Sequence, residues 1–179
     1  MVTRRIFLLW VVLHTFCAGV SAAEPPALEY QVKAAFILNF AKFVEWPAQA
    51  FADAEAPLSI GIFGEDPFGE VLDQMSRDSK LNGRSVVIRR SRFLHELENC
   101  QILFFSRSEE ASLVESLEAL KGSSVLTVGE SENFAERSGV IGFVRQDNKV
   151  RFEINLASAR RAQLKISSKL LSLASEVIE

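Results

Sequence analysis

LSIGIFGEDP, residues 58–67, is a short apolar run closed by glycine and followed by Asp-Pro. A run of that length with no alternation reads as a strand covered on both faces. Asp66 then offers an N-cap and Pro67 the first helical position, which predicts a helix to about Asp78. The same rhythm recurs downstream. QILFFS (101–106) is a second unalternated run, followed by a helix from Ser108 to the Lys121-Gly122 stop. SSVLTVG (123–129) is a third, followed by a short helix from Ser131 to Arg137. Asn82-Gly83 marks a turn before the strand RSVVIRR (84–90), and Arg92 to Glu98 holds one or two helical turns.

Strand and helix in this order predict an α/β fold: a single three-layer domain, a mostly parallel sheet with helices on both faces. The tail departs from the rhythm. VIGFVRQ (140–146) and KVRFEIN (149–155) flank Asp147-Asn148, a two-residue hairpin signal, so the sheet is expected to gain an antiparallel hairpin at one edge. Asn155 caps a short helix, LASARRA. A last helix from about Ser168 is expected to present Leu170, Leu173, Ala174, Val177 and Ile178 as one stripe.

Upstream of this core, EYQVKAAFILNFAKFVEWP (29–47) reads as one long amphipathic helix. Val32, Phe36, Phe40 and Phe43 fall on one side at helical spacing, flanked by Ile37 and Val44. The opposite strip carries Gln31, Asn39 and Lys42, with Ala35, Leu38 and Trp46 among them. That strip is less polar than a solvated helix face requires.

The first 23 residues read as a cleaved secretory leader: Arg4 and Arg5, the apolar stretch Ile6 to Ala18, then Ser21-Ala22-Ala23. The residues before Cys17 are not those of a lipid-attachment site. The expected mature chain, 24–179, fits one domain. Without Arg4 and Arg5 it holds 18 basic against 23 acidic residues, a net charge of −5 that gives no footprint for nucleic acid.

A catalytic centre is hard to assemble from what remains. His95 is the one histidine and Cys100 the one cysteine after cleavage, too few for a four-ligand zinc site and unable to form an intramolecular disulfide. There is no G-x-S-x-G elbow. GIFGEDPFGE lacks the spacing and lysine of a phosphate loop, and its Glu65 and Asp66 sit where phosphate would. An exported hydrolase would depend on His95. No cofactor or metal is expected. Ligands of open α/β sheets settle at the carboxyl ends of the strands, which makes Glu65, Asp66, Arg107 and Glu130 the candidate ligand-binding residues.

Taken together, EYQVKAAFILNFAKFVEWP, IGIFGEDPFG, CQILFFS, VLTVGESENFA and RFEINLASARRAQLKISSKLL resemble the YfiR/HmsC-like periplasmic proteins over nearly all of the mature region. The resemblance implies a periplasmic, non-enzymatic repressor. Its implied partner is the periplasmic domain of an inner-membrane diguanylate cyclase or related sensor kinase, with release by an OmpA-like outer-membrane lipoprotein and biofilm control downstream. Two positions depart from the family: Cys100 stands without the usual paired cysteines, and Gln163 replaces a common glycine after ARRA. On this reading Asn39, Lys42 and Trp46, with Glu153, Asn155, Arg160 and Arg161, are the candidate partner-binding residues. The alternatives are that they close the domain on itself or form a homodimer, and that the chain is a small-ligand receptor module.

Overall fold

The computed structural model describes residues 26–179, and the expected leader lies outside them. In chain order the elements are α1 (Pro26–Phe43), β1 (Val44–Glu45), β2 (Leu58–Phe63), α2 (Glu70–Ser76), β3 (Lys80–Leu81), β4 (Arg84–Ser91) and β5 (Ile102–Phe105). There follow α3 (Leu113–Ala119), β6 (Leu126–Gly129), β7 (Ile141–Gln146), β8 (Lys149–Asn155), α4 (Leu156–Arg161), β9 (Lys165–Ile166), α5 (Ser168–Leu171) and β10 (Glu176–Ile178). Short 3-10 segments connect several of them. The sheet has eight strands in the order β10-β8-β7-β6-β5-β2-β4-β3. The quoted run is β2, in its interior and parallel to both β4 and β5.

All six residues of β2 and all four of β5 and of β6 are buried, as unalternated runs require. Their alternate side chains go to two different layers. Ile60, Ile62, Phe104 and Val128 join α1, α2, α4 and α5 on one face. Phe63, Leu103 and Phe105 join Leu113, Leu117 and Phe134 on the other, under α3. The α/β reading therefore holds: one mostly parallel sheet with helices on both faces. The Asp147-Asn148 hairpin also forms, with both turn residues at positive φ and β7 antiparallel to β8. It is not outermost, because β10 adds outside β8 in parallel.

Several element boundaries differ from the sequence reading, each for a local reason. The first helix ends at Phe43 rather than Pro47, where the chain extends and Val44–Glu45 pairs with β9. Its buried face is rotated: Lys33, Ala34, Ile37, Leu38, Phe40, Ala41 and Val44 are buried, while Phe36 and Phe43 sit at the flanks. Leu38, assigned to the outer strip, is inside. Asp66 makes an Asx turn, its Oδ1 accepting the Phe68 amide at 2.8 Å, so α2 starts only at Glu70 and Pro67 is not its first residue. Residues 131–138 form turns, not a helix, with Asn133 and Ser138 at positive φ. The last helix stops after Leu171, so Val177 and Ile178 lie in a strand and Leu173 is exposed.

The end of α4 explains the departure at Gln163. The Leu164 amide donates to Ala159 O at 2.9 Å and the Gln163 amide to Arg160 O at 3.0 Å, the two bonds of a Schellman cap. That cap places residue 163 at φ +57, a conformation glycine takes without a Cβ penalty. Gln163→Gly is expected to raise stability by about 0.5–1 kcal/mol. A urea midpoint that rises with unchanged slope would show it, and a fall would mean that the exposed bond from Gln49 to Gln163 matters more.

Candidate functional site

The carboxyl ends of β2, β5 and β6 open into two adjoining clefts on one side of the molecule. The sheet order reverses there, since β4 lies on one side of β2 and β5 on the other. One cleft, of about 420 Å³, is lined by Glu65, Asp66, Arg107, Ser108 and Glu130 with Tyr30 of α1. The other, of about 880 Å³, shares Tyr30, Arg107 and Glu130 and extends past Lys33, Arg145 and Glu153. All four candidate ligand residues therefore converge. Three of them are already committed: Glu65 pairs with Arg92 at 3.0 Å, Asp66 with Arg90 at 2.6 Å, and Glu130 with Lys33 at 2.5 Å. Arg107 is exposed and forms no salt bridge among the described residues.

The floor of the larger cleft is a charged knot between α1 and the end of β6. The Lys33 ammonium, 4% exposed, sits 2.5 Å from Glu130 Oε2, whose side chain is 2% exposed, and 2.6 Å from Glu29 Oε1. Tyr30 Oη donates toward both Glu130 oxygens at 3.2 Å, and the Lys33 ammonium lies 4.6 Å from the Tyr30 ring centroid. Burial pushes the Tyr30 hydroxyl up to about 12, and the Glu130 carboxylate adds to the shift. Burial also works to raise the Glu29 carboxyl, but Lys33 overrides it and holds the group below the ordinary carboxylate range. The same is true of Glu110, held low first by the Ser131 hydroxyl beside it and then by Arg137. That hydroxyl is buried without a hydrogen bond of ordinary geometry.

Tyr30 is the one tyrosine of the chain, so absorbance at 295 nm reads it directly. Its titration is expected near pH 12 in the native protein, against about 10 in the unfolded chain. Because the folded value is raised, this contribution to stability is whole below pH 10 and is lost as pH climbs through 12. A native midpoint at 10 would place the hydroxyl away from Glu130.

Lys33, Tyr30 and Glu29 were not among the candidate residues of the sequence reading. A signal for them existed: Lys33, Ile37, Phe40 and Val44 follow i, i+4, i+7, i+11, so the lysine lies on a core stripe and demands a buried anion.

The candidate partner residues fall in two places. Asn39 and Lys42 are exposed on α1 and bonded to each other at 3.2 Å. Trp46 lies beyond the helix, half-buried, its indole N–H donating to Gln101 O at 3.1 Å. Asn155 is buried and caps α4, accepting the Ser158 amide at 2.8 Å and donating to Ala135 O at 2.8 Å. Arg161 bonds Ser158 Oγ at 2.7 Å. Glu153 stands in register with Glu176 of β10, and Arg160 lies 3.5 Å from Glu179 just beyond β10. The edge of β8 beside these residues is thus paired with β10.

Cys100 is buried, and burial pushes its thiol up to about 11. It lies at the amino end of the sheet, beside a cleft of about 570 Å³ where the Gln101 amide is spent on Ser59 and Ala50. Among the described residues no group of three or more His, Cys, Asp or Glu is placed to hold a metal ion. No helix among them is long and apolar enough to cross a membrane.

The YfiR/HmsC-like family model matches residues 30–175, the span that holds every strand of the sheet except β10, most of the cleft lining and the α4 cap. The chain belongs to the YfiR/HmsC-like family. No curated protein matches it. Among solved structures, a conserved domain protein from Vibrio cholerae O1 biovar El Tor is similar at TM-score 0.57 and 10% identity, over 83% of this chain and 60% of that one. The ABC domain in complex with L-Trp from Streptococcus pneumonia is similar at TM-score 0.52 and 10% identity, over 84% and 60%. The YfiR/HmsC-like chain spans less than two thirds of either, and at such identity the likeness is one of fold.

Proposed function

We propose that this YfiR/HmsC-like chain is a periplasmic regulatory protein that binds the periplasmic domain of an inner-membrane diguanylate cyclase, or related sensor, and holds cyclic-di-GMP output down. The observation that carries the reading is family membership across nearly all of the domain, residues 30–175. The site chemistry is compatible with it. Glu29, Lys33 and Glu130 at the floor of the larger cleft are tied up in ion pairs rather than poised for proton transfer, and the Cys100 thiol is buried and protonated. On this reading the protein acts by occupancy of a surface, not by catalysis. An OmpA-like lipoprotein is the proposed releasing partner.

The test is co-purification of residues 24–179 with the periplasmic domain of a membrane cyclase encoded beside it. A stable complex is the expected result, and failure to bind that domain at micromolar concentrations contradicts the reading.

A second reading, a small-ligand receptor module, is favoured by one observation: the 880 Å³ cleft at the strand ends, with the uncommitted Arg107 and the buried Ser131 hydroxyl at its wall. A melting temperature that climbs with the concentration of an added small molecule, and no longer does so in Arg107→Ala, is the expected signature.

A further inference from the structure

The edge of β8 is covered by a strand poorly matched to it. β10 contributes three residues, none of them buried, whereas Phe152, Ile154 and Asn155 beneath are buried. Its register places Glu176 beside Glu153, Val177 beside Ile154 and Ile178 beside Asn155. Like charges directly opposite on neighbouring strands repel. Glu136 adds a third carboxylate near Glu153, and the Glu153 carboxyl is pushed above its ordinary range by burial and then by Glu176 and Glu136. The opposing clamp is weak: Arg160 and Glu179, 3.5 Å apart, are 67% and 75% exposed. The fixed point lies just before the strand, where the Ser175 amide and hydroxyl both donate to Phe152 O, at 2.8 and 2.9 Å.

We propose that β10 is a displaceable strap, pivoting at Ser175, that occupies the β8 edge in the isolated protein and yields it to a strand of the regulated partner carrying lysine or arginine opposite Glu153. A basic residue at that position turns repulsion from Glu153 and Glu136 into attraction. Backbone bonding along the exposed edge supplies affinity, and apolar residues replacing Val177 and Ile178 cover Ile154 again. The inference rests on the proposed regulatory reading for the identity of the partner, and on the register of β10 for everything else.

Two variants that keep Glu153 intact test it against the partner's periplasmic domain. Glu176→Lys pairs the strap with Glu153 and is expected to weaken binding about tenfold, because the open form becomes rarer. Ending the chain after Ser175 removes the strap and is expected to tighten binding by about the same factor. Unchanged or weaker binding by the truncated chain, with its melting transition preserved, overturns the strap, since β10 would then be inert or itself the contact. Hydrogen exchange decides the strap without any partner. Val177 and Ile178 amides are expected to exchange far faster than those of β5 and to slow in Glu176→Lys; exchange as slow as β5 in the native chain overturns it. If the native chain binds no cyclase domain while exchange behaves as expected, the regulatory reading fails and the strap stands.

Discussion

Lys33→Met is expected to lower the stability of the domain by about 3–5 kcal/mol, because it strands the Glu130 carboxylate in the interior without its cation. Lys33 and Glu130 are 4% and 2% exposed at their side chains, so the stranded carboxylate has little access to water. Methionine preserves the length and apolar body of lysine, which isolates the charge as the cause. Chemical denaturation reads the loss directly. The double variant Lys33→Met, Glu130→Leu is expected to recover most of it, since replacing a buried pair by apolar groups is often neutral. A single variant within about 0.5 kcal/mol of the native chain would mean the pair is hydrated in solution. The larger cleft shares these groups, so the same variant is expected to disturb its floor.

Gly129→Ala is the second large effect, expected to cost about 3 kcal/mol through overpacking. The Phe134 ring is pressed between Gly129 at the end of β6 and Gly139 at the start of β7's approach, and a Cβ at either glycine would overlap ring carbons. Phe134 is 1% exposed and packs on Phe105 at 5.6 Å between centroids, so the ring has nowhere to retreat. The turns of residues 131–138, with Asn133 and Ser138 at positive φ, bring that ring back over Gly129. Adding Phe134→Leu to Gly129→Ala is expected to cost less than the two changes summed, as residues sharing one space do not add. Strict additivity in thermal or urea unfolding would contradict the clamp.

What could be read from the sequence divides along the range of the interactions involved. LSIGIFG, QILFFS and SSVLTVG announce a covered parallel sheet because burial on both faces leaves a mark in every residue of the strand. Asp147-Asn148 announces its hairpin because positive φ selects those residues locally. The Asp66-Pro67 signal was local too, but Asp66 satisfies the Phe68 amide in a turn and binds Arg90, a contact 24 residues away that the sequence does not display. Val177 and Ile178 fit a helical stripe equally well until β8 offers them an edge. In the site, Glu65, Asp66, Arg107 and Glu130 converge as the strand-end rule expects. That rule says nothing of what reaches them from outside the sheet, and Lys33 and Tyr30 arrive from α1 across about a hundred residues of chain. Polarity along β8 and α4 does not reveal that Asn155 is a buried cap or that Glu153 lies beside β10.

The most direct test of the regulatory account is the cellular level of cyclic-di-GMP in the parent bacterium, compared with a strain lacking this chain and one in which it is restored to the periplasm. The account predicts a rise on deletion, with biofilm increasing alongside, and a return to the parental level on restoration. A level unchanged by deletion, in a strain where the neighbouring cyclase is expressed, would contradict it.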